Sequence, residues 1–163
     1  MTHDTAPDPT PRSNGHPALD PYIRAALARK AAGLVVLDVG KLTSIADYFL
    51  ICSGRSSRQV TAIADHIQVA LKEQGIRPLS VEGAKSGHWV LMDYGHVIIH
   101  VFYDSVRRFY DLEGLWADAR RINTSDMEAA EAADAAAPEG HGAADADEGP
   151  YTVFEEMEAR NGI

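Results

Sequence analysis

The chain has 163 residues, which is one domain with tails on the usual length prior, and 45% apolar residues supply a core at a mean hydropathy of −0.20. Its net charge of −9 is unevenly placed: residues 18–122 hold 13 Lys/Arg against 11 Asp/Glu, whereas residues 123–163 hold Arg160 against 11 acids. With no concentrated basic face, sequence-specific nucleic-acid binding is not expected. A single cysteine forbids an internal disulfide and suits a reducing compartment.

Residues 1–17, "MTHDTAPDPTPRSNGHP", carry four prolines and almost no large apolar side chains, the composition of a disordered arm. The arm has neither the basic nor the apolar region of a signal peptide. No run reaches the 18 or so apolar residues of a membrane span, so a cytoplasmic location is expected. The periodicity then predicts a helix over 20–32, with Tyr22, Ile23, Ala26 and Leu27 as its apolar stripe and Gly33 at its end. "LVVLDV" (34–39) and "DYFLICS" (47–53) are β-branched and aromatic on both faces, as central strands are.

From Ser56, the residues Val60, Ile63, Ala64, Ile67 and Leu71 fall at helical spacing, and Gly75 ends that helix. "IRPLSVE" (76–82) alternates; Pro78 cannot donate to a ladder, which places this strand at an edge. "HWVLMDY" (88–94) and "HVIIHVFY" (96–103) flank Gly95 as an antiparallel hairpin. "DSVRRFYDLEGLW" (104–116) gives one or two helical turns. The expected fold is α/β: a small two-layer domain over 18–122 with a mixed sheet of about five strands and flanking helices. The Ala-rich acidic extension over 123–163 is expected to be mostly disordered, because alanine buries too little area to offset ordering entropy. Within it, "YTVFEEMEARNGI" has Val153, Phe154 and Met157 at helical spacing, either a short docking helix or a frayed end.

A hairpin turn centred on Tyr94-Gly95 sets Trp89 opposite His100, Leu91 opposite Ile98 and Met92 opposite Val97. Alternation then puts Val90, Met92, Val97, Ile99 and Val101 on one face, which is core. Trp89, Leu91, Asp93, His96, Ile98 and His100 share the other. Such a mixed face is either covered, with Phe109, Leu112, Leu115 and Trp116 as the available cover, or open to a partner.

No catalytic constellation emerges. "SGRSSR" lacks the Gly-Lys-Ser/Thr of a phosphate loop and the second glycine of a nucleophile elbow, so Ser56 or Ser57 is read as a helix cap and Gly54 as the tight turn. Cys52 lies in an apolar strand without a neighbouring base and is read as a buried thiol. His96 and His100 lie about 13 Å apart along a strand, too far to share a metal. The only Asp-x-Asp pair, Asp145 and Asp147, is in the tail. No metal or cofactor is expected.

Four stretches, "ADYFLICSGRSSRQVTAIADHI", "VEG", "HWVLMDYGHVIIHVF" and "RRFYDLEGLWADA", together resemble the ribosomal silencing factor family, also called Iojap-related. The resemblance runs from about Leu19 to Ala119. It implies a nucleotidyltransferase-like fold without that superfamily's catalytic carboxylates. It also implies binding to the fourteenth large-subunit ribosomal protein on the intersubunit face, a block on small-subunit joining under nutrient limitation, and a dimer when free. The family pattern says nothing of the N-terminal arm or the acidic extension. On this reading Trp89 and Leu91 give contact area beside Tyr94, His100 and Tyr110, while Glu82, Asp93 and Glu113 meet basic groups of the partner. The rival reading is a diverged nucleotidyltransferase that uses the 53–58 turn for a triphosphate and Asp38 or Asp93 for a metal.

Overall fold

In a computed structural model describing residues 16–137, a short 3-10 turn leads into helix α1 (Asp20–Leu27) and then strand β1 (Ala32–Asp38). Strand β2 (Tyr48–Gly54) and helix α2 (Ser57–Glu73) follow, then strands β3 (Ser80–Glu82), β4 (Trp89–Asp93) and β5 (Val97–Tyr103). Helices α3 (Asp104–Tyr110) and α4 (Leu112–Leu115), strand β6 (Arg120–Ile122) and helix α5 (Ser125–Ala136) complete it. The order in the sheet is β3-β4-β5-β2-β1-β6. Only β2 and β5 pair in parallel, so the sheet is mixed, as its sequence pattern implies.

Two apolar layers flank this sheet. Val36, Leu50, Cys52, Val90, Met92, Val97, Ile99 and Val101 meet Ile23, Val60, Ile63, Ile67 and Leu71 of α1 and α2. On the opposite face Leu37, Phe49, Ile51, Ile98 and Phe102 are packed by Val106, Leu112 and Trp116 of the 104–116 segment. The last helical turns thus cover the second face, making the fold more than two-layered along that strip.

The structure departs from the sequence expectations at four places. Helix α1 stops at Leu27 and Ala32 already pairs with Ser53; Ala31 and Ala32 prolong the helical pattern by composition only. The 76–82 strand contracts to β3 behind Pro78. The sheet has six strands, not five, because "RRI" at 120–122 pairs with β1, and three residues carry no readable period. Finally, 125–136 form a helix inside the segment expected to lack structure. Alanine is the best helix former, Thr124 sits at the N-cap, and Met127 and Ile122 bury themselves beside α1. The expectations for 1–15 and for 138–163, the Asp145 and Asp147 pair included, lie outside the described residues.

The hairpin register also differs. Trp89 lies opposite Phe102, Leu91 opposite His100, Met92 opposite Ile99 and Asp93 opposite Ile98. The two-residue turn is Gly95-His96, closed by the Tyr94 amide donating to the Val97 carbonyl at 2.9 Å. A glycine with φ +88° is suited to the first central position of such a turn, which moves the turn centre by one residue. Moving the centre by one shifts the pairing by two, so every side chain keeps its face. The assignment of the five core residues to one face therefore holds.

Candidate functional site: an aromatic groove on the second sheet face

The register lays three rows across the second face. Trp89, Phe102 and Ser53 form one; Glu82, Leu91, His100, Ile51 and Val35 form the next; Asp93, Ile98, Phe49 and Leu37 form the third. Two of the rows carry a carboxylate at the β3–β4 edge, Glu82 and Asp93, with mainly apolar groups toward the centre. Helices α3 and α4 cover the centre and leave the β3–β4 side open.

Trp89 organises the open part. Its indole stacks on Phe102 at 4.8 Å between ring centroids and meets Tyr110 at 5.0 Å. Its Nε1–H donates to His100 Nδ1 at 3.1 Å. His100 is 4% exposed, wedged against Phe49, and burial pushes its pKa down to about 4. A neutral ring accepting at Nδ1 carries its proton on Nε2, which finds no partner among the described residues.

Beside the indole opens a groove of about 540 Å³ lined by Ser86, His88, Trp89, Ser105, Val106, Phe109 and Tyr110. Phe109 is 81% exposed and Tyr110 50% exposed, an unusual display for two neighbouring aromatics. The 83–88 loop forming one wall is pinned to α2 and β5: Thr61 Oγ1 of α2 donates to the Ala84 carbonyl, and the Tyr103 amide of β5 donates to the His88 carbonyl. Gly83 belongs to this wall by necessity. At φ +80° a Cβ would sit 2.0 Å from the Trp89 carbonyl oxygen.

The eight residues singled out in the sequence do not form one surface. Glu82, Trp89, Leu91, Asp93, His100 and Tyr110 belong to the second face or its rim, but His100 is interior and acts by holding Trp89. Tyr94 belongs to the other face, edge-on to Tyr22 at 5.5 Å, and burial pushes its hydroxyl pKa up to about 12. Asp93 accepts the Gly95 amide at 2.8 Å and so shapes the turn. Glu113 pairs with Arg107, whose guanidinium also donates to Ser53 Oγ at 2.8 Å and to the Gly33 carbonyl at 2.7 Å. Arg107 thus ties α3 and α4 to the ends of β1 and β2. Sequence reasoning passed over Arg107 as one of two adjacent arginines, and it read Phe109 as cover where the structure leaves it bare.

The 53–58 turn is a capped strand-to-helix junction. Ser56 Oγ accepts the Gln59 amide at 3.1 Å, and Gln59 Oε1 in turn accepts the Arg55 amide at 2.7 Å. The junction therefore occupies two of the amides a phosphate would use. Asp38 and Asp93 stand on strands three positions apart in the sheet, about 14 Å, beyond the reach of a shared ion. Among the described residues no group of three His, Cys, Asp or Glu is placed to hold a metal. Cys52 is fully buried and its thiol pKa is pushed up to about 12 by desolvation. No helix among them is long and apolar enough to cross a membrane.

Fold and face together define a class: an α/β domain with a mixed six-stranded sheet, one face closed by helices and the other ending in an exposed aromatic groove. The model of the family described as "Ribosomal silencing factor during starvation" matches residues 13–148, and the chain belongs to that family. It is similar to the ribosomal silencing factor RsfS of Halalkalibacterium halodurans, at 44% identity over 94 residues, 58% of this chain and 80% of that one. A crystal structure of a Chromobacterium violaceum protein superposes with a TM-score of 0.59 at 42% identity, covering 60% of this chain and 82% of that chain. A mouse protein named "Mitochondrial assembly of ribosomal large subunit protein 1" is 28% identical over 101 residues, 60% of this chain and 44% of that one.

Proposed function

We propose that this protein silences ribosomes by binding, without catalysis. It docks on the large subunit through the fourteenth large-subunit protein and blocks the small subunit from joining when nutrients are scarce. The observation that carries this reading is the groove beside Trp89. Its exposed Phe109 and Tyr110 offer aromatic anchors, and Glu82 and Asp93 at the adjacent sheet edge suit a basic ribosomal-protein surface. The name of the relative at 44% identity supports ribosome silencing, and that of the relative at 28% identity supports a large-subunit partner. In this reading the protein is cytoplasmic and a homodimer when free, with the dimer giving way to the ribosome-bound form.

The test is a sucrose gradient of purified large and small subunits at associating magnesium, with and without the full chain. The expected outcome is protein comigrating with the large subunit and a smaller joined-ribosome peak. Protein at the top of the gradient with joining unaffected would sink the proposal.

A further inference from the structure

The groove is open, mixes aromatic and polar groups and holds no Lys or Arg in its own lining, but basic residues adjoin its walls. Lys85 belongs to the 83–88 loop and Arg108 precedes Phe109 on α3. Arg55 and Arg58 flank the start of α2, where the Ser57 carbonyl abuts Gly87 of the same wall. Asp104 and Asp111 are the carboxylates at the two ends of α3. The basic side of this groove suits an acidic segment with one apolar face, whereas the Glu82 and Asp93 edge on its other side suits a basic partner.

The chain carries one. After helix α5, residues 138–163 hold seven acids against Arg160. Within them Val153, Phe154 and Met157 fall on one side at helical spacing, and Glu155, Glu156 and Glu158 stand between and after them. Residues 151–163 also lie beyond the 13–148 stretch that matches the family, so nothing in the shared domain specifies their role. The connecting residues 138–150 number 13 and span up to about 45 Å extended. A domain of about 120 residues has a radius of gyration near 14 Å and is roughly 36 Å across, which is within the extended length of this connection.

We propose that the segment Tyr151–Ile163 docks in the groove of its own chain, with Phe154 and Met157 against Trp89, Phe109 and Tyr110 and its glutamates toward Arg55, Arg58, Lys85 and Arg108. A connection of this length makes the contact intramolecular, at an effective concentration of order millimolar, so even a weak contact is substantially occupied. The consequence for ribosome binding rests on the proposed function: the segment occupies the surface that the large subunit needs, and the subunit must displace it.

The test places p-benzoylphenylalanine at position 154 of the full chain, irradiates at low protein concentration and maps the crosslinks by mass spectrometry, without ribosomes. The expected result is intramolecular crosslinking to residues 86–89 and 105–110. The yield should fall about fivefold or more in Phe109→Ala, whose side chain is mostly exposed and whose loss leaves the fold intact. It should also fall as salt is raised, because the contact is partly ionic. Crosslinks scattered over the domain, confined to another element or formed only between copies would overturn the proposal. A failed ribosome gradient with groove crosslinks present would overturn the proposed function and leave the docking intact.

Discussion

His100 is the residue whose chemistry is most constrained. Burial holds its pKa near 4, below the ordinary 6.5, so the native state resists the proton that the unfolded chain accepts. The contribution of the neutral ring to stability is therefore whole above pH 6.5 and is lost as pH falls from there toward 4. Between pH 7 and pH 5 the loss should be about 2 kcal/mol, read as a lower urea midpoint in the wild type and a flatter profile in His100→Gln. Equal pH slopes in the two proteins would exclude this role. Trp89 depends on the same ring. Trp89→Phe keeps the stacking on Phe102 but leaves His100 Nδ1 without its donor, at a cost of about 1–2 kcal/mol of stability. Tyr110→Ala is the cleaner probe of docking: half exposed, it should lower large-subunit affinity about tenfold or more with little change in melting temperature. A lost melting transition with unchanged binding would make Tyr110 structural. Face assignment of Trp89, Leu91 and Asp93 was legible because alternation survives a two-residue register shift. Burial of His100 was not, because burial depends on α3 and α4 meeting a face that alternation alone leaves open.

At the scale of elements, long periodic stretches declared themselves and short ones did not. Helix α2 shows its stripe across five buried positions, from Val60 to Leu71, and β2 and β5 read as central strands because both sides are apolar. Strand β6 has three residues and exists because β1 offers it an edge; Val36, Leu37 and Asp38 pair with Ile122, Arg121 and Arg120. Helix α5 has the opposite problem, a strong propensity with one buried apolar group to dock it. That dependence makes a prediction. Met127, 3% exposed against α1, anchors both β6 and α5, and Met127→Ala should cost about 2 kcal/mol or more in guanidinium unfolding. Loss of α5 should also appear as faster amide exchange over 125–136. A variant as stable as the wild type, with exchange unchanged, would mean that this helix holds itself without the core.

The whole molecule separates a near-neutral domain from a strongly acidic extension, and that separation sets how it approaches a ribosome coated in phosphate. Residues 138–163 carry a formal net charge of −6, which opposes encounter with polyanionic RNA over distances of a Debye length. If the large subunit is the partner, deleting 138–163 should raise its association rate several-fold at about 0.05 M salt. At about 0.3 M, where the Debye length has shrunk by more than half, the gain should fall below about twofold. Charge repulsion and occupation of the groove both slow the full chain, and both weaken in salt, so the deletion alone does not separate them. Phe154→Glu does. It keeps and increases the negative charge while removing the aromatic anchor, so it should bind as fast as the deletion if groove occupation dominates and no faster than the wild type if repulsion dominates. An association rate indifferent to salt, to the deletion and to Phe154→Glu would leave the extension without influence on docking. The binding energy would then reside in the domain's own face, in Phe109, Tyr110 and the carboxylates of β3 and β4.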